Sequence, residues 1–337
     1  MAEGGAMDLE ADEALAAQLD ERADELSLNE LKRMAAELRR RETTAGLRTA
    51  AVHRFNARYQ EMEAEIGNQA GQAILNKLNP YLIGRGRSEV GGKWSLEAGG
   101  AEGLFLPDFA RLFSGIAFLD CSLANLVVAR KLAQEHGLSN VAFVRGDVMA
   151  LPFRGTAFQF VHENNVIEHV ADPETMVKEG LRVTAAGGTY VCVSPNRFSV
   201  APEPHFRLAG FGFFPRGLRR HLIWLLRGVP SEQGTHPRSL GELRSYLGQP
   251  SDFEVSIFFL PRKLPCTARK TPLRRAVRSV LALPVVGRIV SELINGPLLG
   301  LMPYHVAVAI RASQELINPK PLRVSLPGSR TNHRTAE

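Results

Sequence analysis

Three carboxylates are spaced along one part of the chain in a way that could bind an organic cofactor: Glu97, Asp120 and Asp147. Glu97 opens the run Glu97-Ala-Gly99-Gly-Ala101-Glu-Gly103, and Asp120 closes an apolar segment about 20 residues beyond it. A carboxylate at that place can accept hydrogen bonds from both hydroxyls of a ribose. Asp147, after the next apolar segment, is placed to accept from an exocyclic adenine amine, with Val148 and Met149 against the ring. Dinucleotide binding competes, because its fingerprint also has glycines followed by a distal acid. It wants G-x-G-x-x-G, whereas here Glu97 precedes the turn and Glu102 sits inside it. Two carboxylates repel a pyrophosphate but suit an ammonium or a sulfonium.

The elements that must hold these groups alternate. Trp94–Ala98 reads as a strand, Gly99–Gly103 as a turn, and Leu104, Phe105, Phe109, Leu112 and Phe113 fall at helical spacing. Strand Gly115–Leu119, helix Leu123–His136, strand Val141–Val144, strand Phe158–His162 and helix Pro173–Val183 follow. Gly187-Gly188 then turns into strand Thr189–Ser194. This βα order implies a doubly wound parallel sheet with helices on both faces, whose ligands bind at the carboxyl ends of the strands. Beyond Pro195 the regularity breaks into a Pro-, Gly-, Phe- and Arg-rich insertion up to Pro237. A helix over Ser239–Leu247 and strands over Phe253–Leu260 and His305–Ile310 come after it. Leu273–Leu301 is basic and then apolar, but Arg288 and Glu292 interrupt it, so it reads as amphipathic helices rather than a span.

The first 80 residues stand apart. Asp8–Arg41 is rich in helix formers, with leucines at helical intervals and Ser27 or Asn29 able to cap a second helix. Leu47–Leu78 continues the pattern with Phe55, Tyr59, Met62 and Ile66 on one side. This extension suits a homo-oligomer or protein partner, or a cover over the ligand site. Residues 1–7 and the tail from Asn318 have the composition of disordered chain.

The chain carries 41 Lys and Arg against 35 Asp and Glu, with acids gathered before residue 30 and a basic excess between Arg207 and Arg288. Such asymmetry fits an anionic substrate, a membrane surface or nucleic acid. Cys121, Cys192 and Cys266 lack C-x-x-C spacing, which disfavours zinc, iron–sulfur clusters and a disulfide scaffold, and no metal is expected. The acidic N-terminus lacks the pattern of a secretory signal, so a cytoplasmic location is expected, with peripheral membrane contact as an alternative.

Taken together, these motifs resemble the Rossmann-like S-adenosylmethionine-dependent methyltransferases of the small-molecule and lipid type. Glu97-Ala-Gly99-Gly-Ala101-Glu-Gly103 is similar to the family's E/D-x-G-x-G-x-G, departing only at Ala101. Phe118-Leu-Asp120-Cys121-Ser is similar to the ribose acid and its turn, and Gly146-Asp147 with Leu151-Pro152-Phe153 to the adenine side. Asn165-Val-Ile-Glu168-His169-Val170 resembles the fourth-strand exit. The resemblance covers Lys93–Arg197 well and implies a mostly parallel sheet whose last strand is antiparallel. It implies S-adenosylmethionine held by Glu97, Gly99, Ala101, Gly103, Asp120, Cys121, Asp147, Val148, Asn164 and Glu168, with His205 and His169 catalytic.

The domain expectation is a helical extension over 1–80, a methyltransferase domain over 81–313 and a disordered tail over 314–337. Within the domain, an acceptor-side insertion covers about 196–250 and a helical lid about 272–301. The function implied is O-methylation of a small-molecule or lipid-like acceptor. The alternatives are a methyltransferase-like interaction protein without turnover, and a membrane-surface protein. Ser194-Pro195-Asn196-Arg197 is not the N/D-P-P-Y/F motif that holds a flipped base, so a nucleic-acid substrate is disfavoured.

Overall fold

Seven strands form one sheet in the order β3-β2-β1-β4-β5-β7-β6 in this computed structural model, which describes residues 9–44, 92–200, 210–227, 236–259, 292–294 and 296–312. The strands are β1 (Gly92–Ala98), β2 (Phe113–Asp120), β3 (Val141–Arg145), β4 (Phe158–Asn164), β5 (Thr184–Pro195), β6 (Phe253–Phe258) and β7 (Tyr304–Arg311). β1 to β5 pair in parallel, and β7 runs antiparallel to both β5 and β6. The mostly parallel Rossmann-like sheet with an antiparallel last strand is therefore present. Strand order reverses between β1 and β4, and the crevice at their carboxyl ends is where such sheets take ligands.

The apolar residues of the central strands cover both faces because helices lie on each side. On one face Ile116, Phe118, Phe160, Val191 and Val308 pack with Phe105, Phe109 and Leu132. On the other, Leu96, Leu119, Val161, Tyr190 and Ala307 meet Met176 and Leu243. The helices start where capping residues stop the backbone. Ser122 accepts from Asn125 N at 3.2 Å at the head of α4 (Leu123–Glu135). Asp172, followed by Pro173, caps α5 (Pro173–Val183), and Ser239 with Glu242 forms a capping box on α7 (Leu240–Leu247). Between these lies α6 (Arg216–Arg227).

Two boundaries differ from the sequence reading. The helix after the glycine turn, α3, spans only Leu106–Phe109, and Phe113 already belongs to β2. Phe105, Phe109 and Phe113 keep helical spacing because they fill one core from successive elements; Phe109 meets Phe113 and Phe160 edge-on at 6.0 and 5.6 Å. β5 begins at Thr184 rather than Thr189, and Gly187-Gly188 lies within it, where its register against β4 shifts. A side chain at Gly188 would meet the Ala185 and Gln159 carbonyl oxygens at 2.8 and 3.0 Å, so only glycine fits that irregularity.

The extension supplies α1 (Leu9–Arg22) and α2 (Leu28–Thr44). Leu15, Leu19, Leu31 and Ala35 pack on Ala124, Val127 and Val128 of α4. The expected helix over Leu47–Leu78, the tail and most of Leu273–Leu301 lie outside the described residues. No helix among those described is long and apolar enough to cross a membrane.

Candidate active site

The crevice at the β1–β4 switch point is built from the glycine turn outward. Gly99 (φ 69°), Ala101 (φ 48°) and Gly103 (φ 84°) all have left-handed backbone, so Ala101 holds a conformation that disfavours side chains. A side chain at Gly99 would meet Val166 at 2.7 Å, and one at Gly100 the Phe118 ring at 2.2 Å. The turn spends its own donors: Gly99 N and Gly100 N reach Leu119 O, Gly103 N reaches Gly100 O, and Ala101 N reaches Asp120 Oδ2 at 2.8 Å. A pyrophosphate cradle needs those N–H groups facing the ligand.

Asp120 is buried at the end of β2. Its Oδ1 accepts from Ser122 N at 2.9 Å and Asn125 Nδ2 at 3.1 Å, while Oδ2 takes the Ala101 N–H. Ionised carboxylates offer about four acceptor sites, so these three bonds orient the group and leave it able to accept another. Cys121, next in the chain, is exposed; partial burial and then the Asp120 charge raise its thiol pKa. Asp147 is exposed beyond β3, and its Oδ1 accepts from Met149 N at 2.8 Å, with Val148 buried beside it. The adenine-side loop is fastened from α5. Arg182 donates to Phe153 O and Leu151 O at 2.8 and 3.1 Å, and Glu179 accepts from Leu151 N at 2.9 Å.

This set of acids, with turn amides used internally, fits a cationic adenosine-bearing cofactor and not a pyrophosphate. Residues 96–192 match the family described as "Methyltransferase domain". This segment, which runs from β1 into β5, is thus similar to methyltransferase domains on a Rossmann-like sheet. Similar proteins include a ubiquinone biosynthesis O-methyltransferase of Ruegeria sp. (strain TM1040), 28% identical over 42% of this chain and 63% of that protein. Another ubiquinone biosynthesis O-methyltransferase, of Parvibaculum lavamentivorans, is 29% identical over 48% of this chain and 70% of that protein. A demethylmenaquinone methyltransferase of Bacillus velezensis is 35% identical over 28% of this chain and 40% of that protein. The chain thus spans less than two thirds of the first and third of these relatives.

The remaining predicted residues separate. Glu97 is buried, and its Oε2 lies 2.9 Å from His162 Nδ1 of the neighbouring strand. An ionised carboxylate only accepts, so Nδ1 donates to it. The His162 Nε2 is buried without a hydrogen-bond partner, inside a ring cage of Phe105, Phe109 and Phe160. Glu97 thus lies under the turn in a polar pair rather than as an open carboxylate beside it. Asn164 ends β4, and Glu168 is buried in the loop beyond. His169 is exposed, with Nε2 4.0 Å from Glu168 Oε1. His205 lies outside the described residues.

Sequence reasoning missed four groups. His162 is one. Glu163, pointing the other way from β4, accepts from the Tyr190 hydroxyl at 2.5 Å; burial pushes its pKa up to about 8, against the lowering effect of that bond. Asn165 (φ 57°) turns the chain out of β4, and its buried Oδ1 has no hydrogen-bond partner among the described residues. Asp12 of α1 is buried against the ribose-edge turn, accepting from Ser122 Oγ at 2.5 Å and Leu123 N at 2.7 Å. The alternation of β4 was the available signal for His162 and Glu163, since two polar residues in succession must point to opposite faces.

Proposed function

We propose that the chain methylates an oxygen of a small-molecule or lipid-like acceptor. The observation that carries this reading is Asp120 joining the glycine turn to the β2–α4 turn at an acid-lined switch point. The similar proteins named ubiquinone biosynthesis O-methyltransferase support an oxygen of a small-molecule acceptor.

When bound, S-adenosylmethionine supplies a methyl group already activated by its sulfonium charge. The residues proposed to hold it are Glu97, Gly99, Ala101, Gly103, Asp120, Cys121, Asp147, Val148, Asn164 and Glu168. Asp120 would receive the ribose, Asp147 and Val148 the adenine, and the turn the amino-acid end. Chemistry then rests on positioning, because in-line displacement at a charged methyl needs orientation more than activation. An acceptor hydroxyl also has to lose its proton, and His169 and His205 are the proposed bases. His169 is exposed, with Nε2 4.0 Å from Glu168 Oε1.

For α1 and α2 we propose a bracing role within the chain, ahead of a homo-oligomer or protein partner, because their apolar residues are already used on α4. A cytoplasmic location with peripheral membrane contact completes the proposal.

Isothermal titration with S-adenosylhomocysteine, run beside NAD, is the first test; micromolar binding of the former alone is expected. Methyl transfer to phenolic lipids is then followed with labelled cofactor. His169→Ala and His205→Ala should lower turnover and leave cofactor affinity unchanged. Failure of S-adenosylhomocysteine to bind would overturn the reading, and binding without turnover on any acceptor would favour an interaction protein.

A further inference from the structure

Eight large apolar side chains are exposed among the described residues, and all but Trp94 lie between Val200 and Leu298. They are Val200, Phe213, Phe214, Leu218, Leu225, Leu293 and Leu298. Val200, Phe213 and Phe214 follow the end of β5, α6 continues directly from them, and Leu293 and Leu298 precede β7. The Phe198 and Phe213 rings lie 5.4 Å apart just past the end of β5. Gly212 packs so closely on Arg197 that a side chain there would fall 1.5 Å from the Arg197 carbonyl oxygen. Val200 N donates to Leu301 O at 3.2 Å, and Leu298 N to Leu293 O at 3.0 Å, which joins the second group to the first at the entry to β7. This rim is the carboxyl end of β5, beside the crevice.

α6 gives the rim its amphipathic character. Leu218, Leu222 and Leu225 follow one another at helical spacing, and Leu225, the most exposed, is 71% accessible. In the sequence RGLRRHLIWLLR there are four arginines, one histidine and no acid. Monomeric proteins seldom expose apolar groups in such number on one edge. A basic amphipathic helix with Leu and Phe on its apolar side is the form that lies in a lipid headgroup layer.

We propose that this rim docks on an anionic phospholipid surface, with Phe213, Phe214, Leu218 and Leu225 entering the acyl boundary. The arginine excess selects for negative headgroups and against a neutral bilayer. The proposal stands independently of methyl transfer.

The test is co-sedimentation of the full chain with phosphatidylglycerol-containing vesicles and with pure phosphatidylcholine vesicles. Binding to the first, weakened by salt, is expected, with little binding to the second. The variant Phe213→Ser/Leu218→Ser/Leu225→Ser should bind the anionic vesicles about tenfold more weakly or worse, with its circular dichroism unchanged. If that variant fails to fold, Leu225→Ser alone replaces it, because its side chain is 71% exposed. Wild-type protein left in the supernatant with both vesicles would overturn the proposal, as would variants that bind like wild type. A concentration-dependent dimer abolished by the same substitutions, without vesicle binding, would give the rim to a second copy instead.

Discussion

The Ala101 N–H donates to Asp120 Oδ2 at 2.8 Å, so the least typical position of the glycine turn is tied to the acid at the ribose edge. The same carboxylate holds Ser122 N and Asn125 Nδ2 with its other oxygen. Asp120 therefore shapes both loops as well as offering acceptor sites. Asp120→Ala should weaken S-adenosylhomocysteine binding by about tenfold or more, the scale of losing charge-assisted hydrogen bonds. Titration calorimetry reads this directly, and unchanged affinity would remove the ribose assignment.

Ala101 tests the backbone itself. At φ 48° an alanine is held in a region that costs about 1–2 kcal/mol. Ala101→Gly relieves that cost but adds freedom to the unfolded chain, worth about 0.5–1 kcal/mol the other way. The expected result is a small rise in melting temperature with cofactor affinity retained. Ala101→Val should lower the melting temperature clearly, since β-branching is least tolerated at positive φ. Calorimetric scans of the pair check both signs.

Glu163 predicts a pH dependence of stability. Its folded pKa, about 8, lies above the ordinary carboxylate value of 4.5, so the folded protein binds the proton more tightly than the unfolded chain. The stabilisation is full below pH 4.5 and is lost as pH rises through about 8. Melting temperature should fall across that window, by an amount on the order of a few kcal/mol in stability. Glu163→Gln, which stays neutral, should flatten this part of the curve. A curve that keeps its slope in the variant would show that another group titrates there.

His162 and Glu97 make a buried pair, and removing one partner leaves the other uncompensated. His162→Leu should destabilise by about 3–5 kcal/mol, the usual result of breaking such a pair. Glu97→Leu/His162→Leu should recover part of that loss in denaturant melts, though Glu97 is also a proposed cofactor ligand. Full additivity of the two single variants would show the pair to be uncoupled.

Asp12 connects the extension to the site. Asp12→Ala removes the acceptors of Ser122 Oγ and Leu123 N at the head of α4. The docking of α1 should weaken by about 1.5–3 kcal/mol, as for hydrogen bonds to a charged group. Limited proteolysis should cut α1–α2 sooner, and amide exchange should quicken in the first turn of α4. Unaltered protection in both would mean that the apolar contact of Leu15 and Leu19 suffices.

The sequence by itself determined the alternation of strands and helices, the glycine turn and the places of Asp120 and Asp147, because each is local. Apolar periodicity, a cap such as Ser122 or Asp172, and a left-handed glycine depend on neighbours a few residues away. It overextended α3 because Phe105, Phe109 and Phe113 keep helical spacing while converging on one core from successive elements. It started β5 late because Gly187-Gly188 reads as a turn, whereas the shifted register against β4 holds both glycines within the strand.

What tertiary structure alone decided is which polar side chains meet in the interior. Parallel pairing of β1 and β4 sets Glu97 directly opposite His162, and β4 and β5 set Glu163 opposite Cys192, two residues from Tyr190 on the same face. Nothing in the linear order distinguishes those partners from other pairs, since register follows from how whole faces are buried. The docking of Asp12 on Ser122 has the same origin: helix packing brings together groups 110 residues apart. Desolvation then does the rest, making Glu163 a neutral acid where the chain alone shows only another carboxylate.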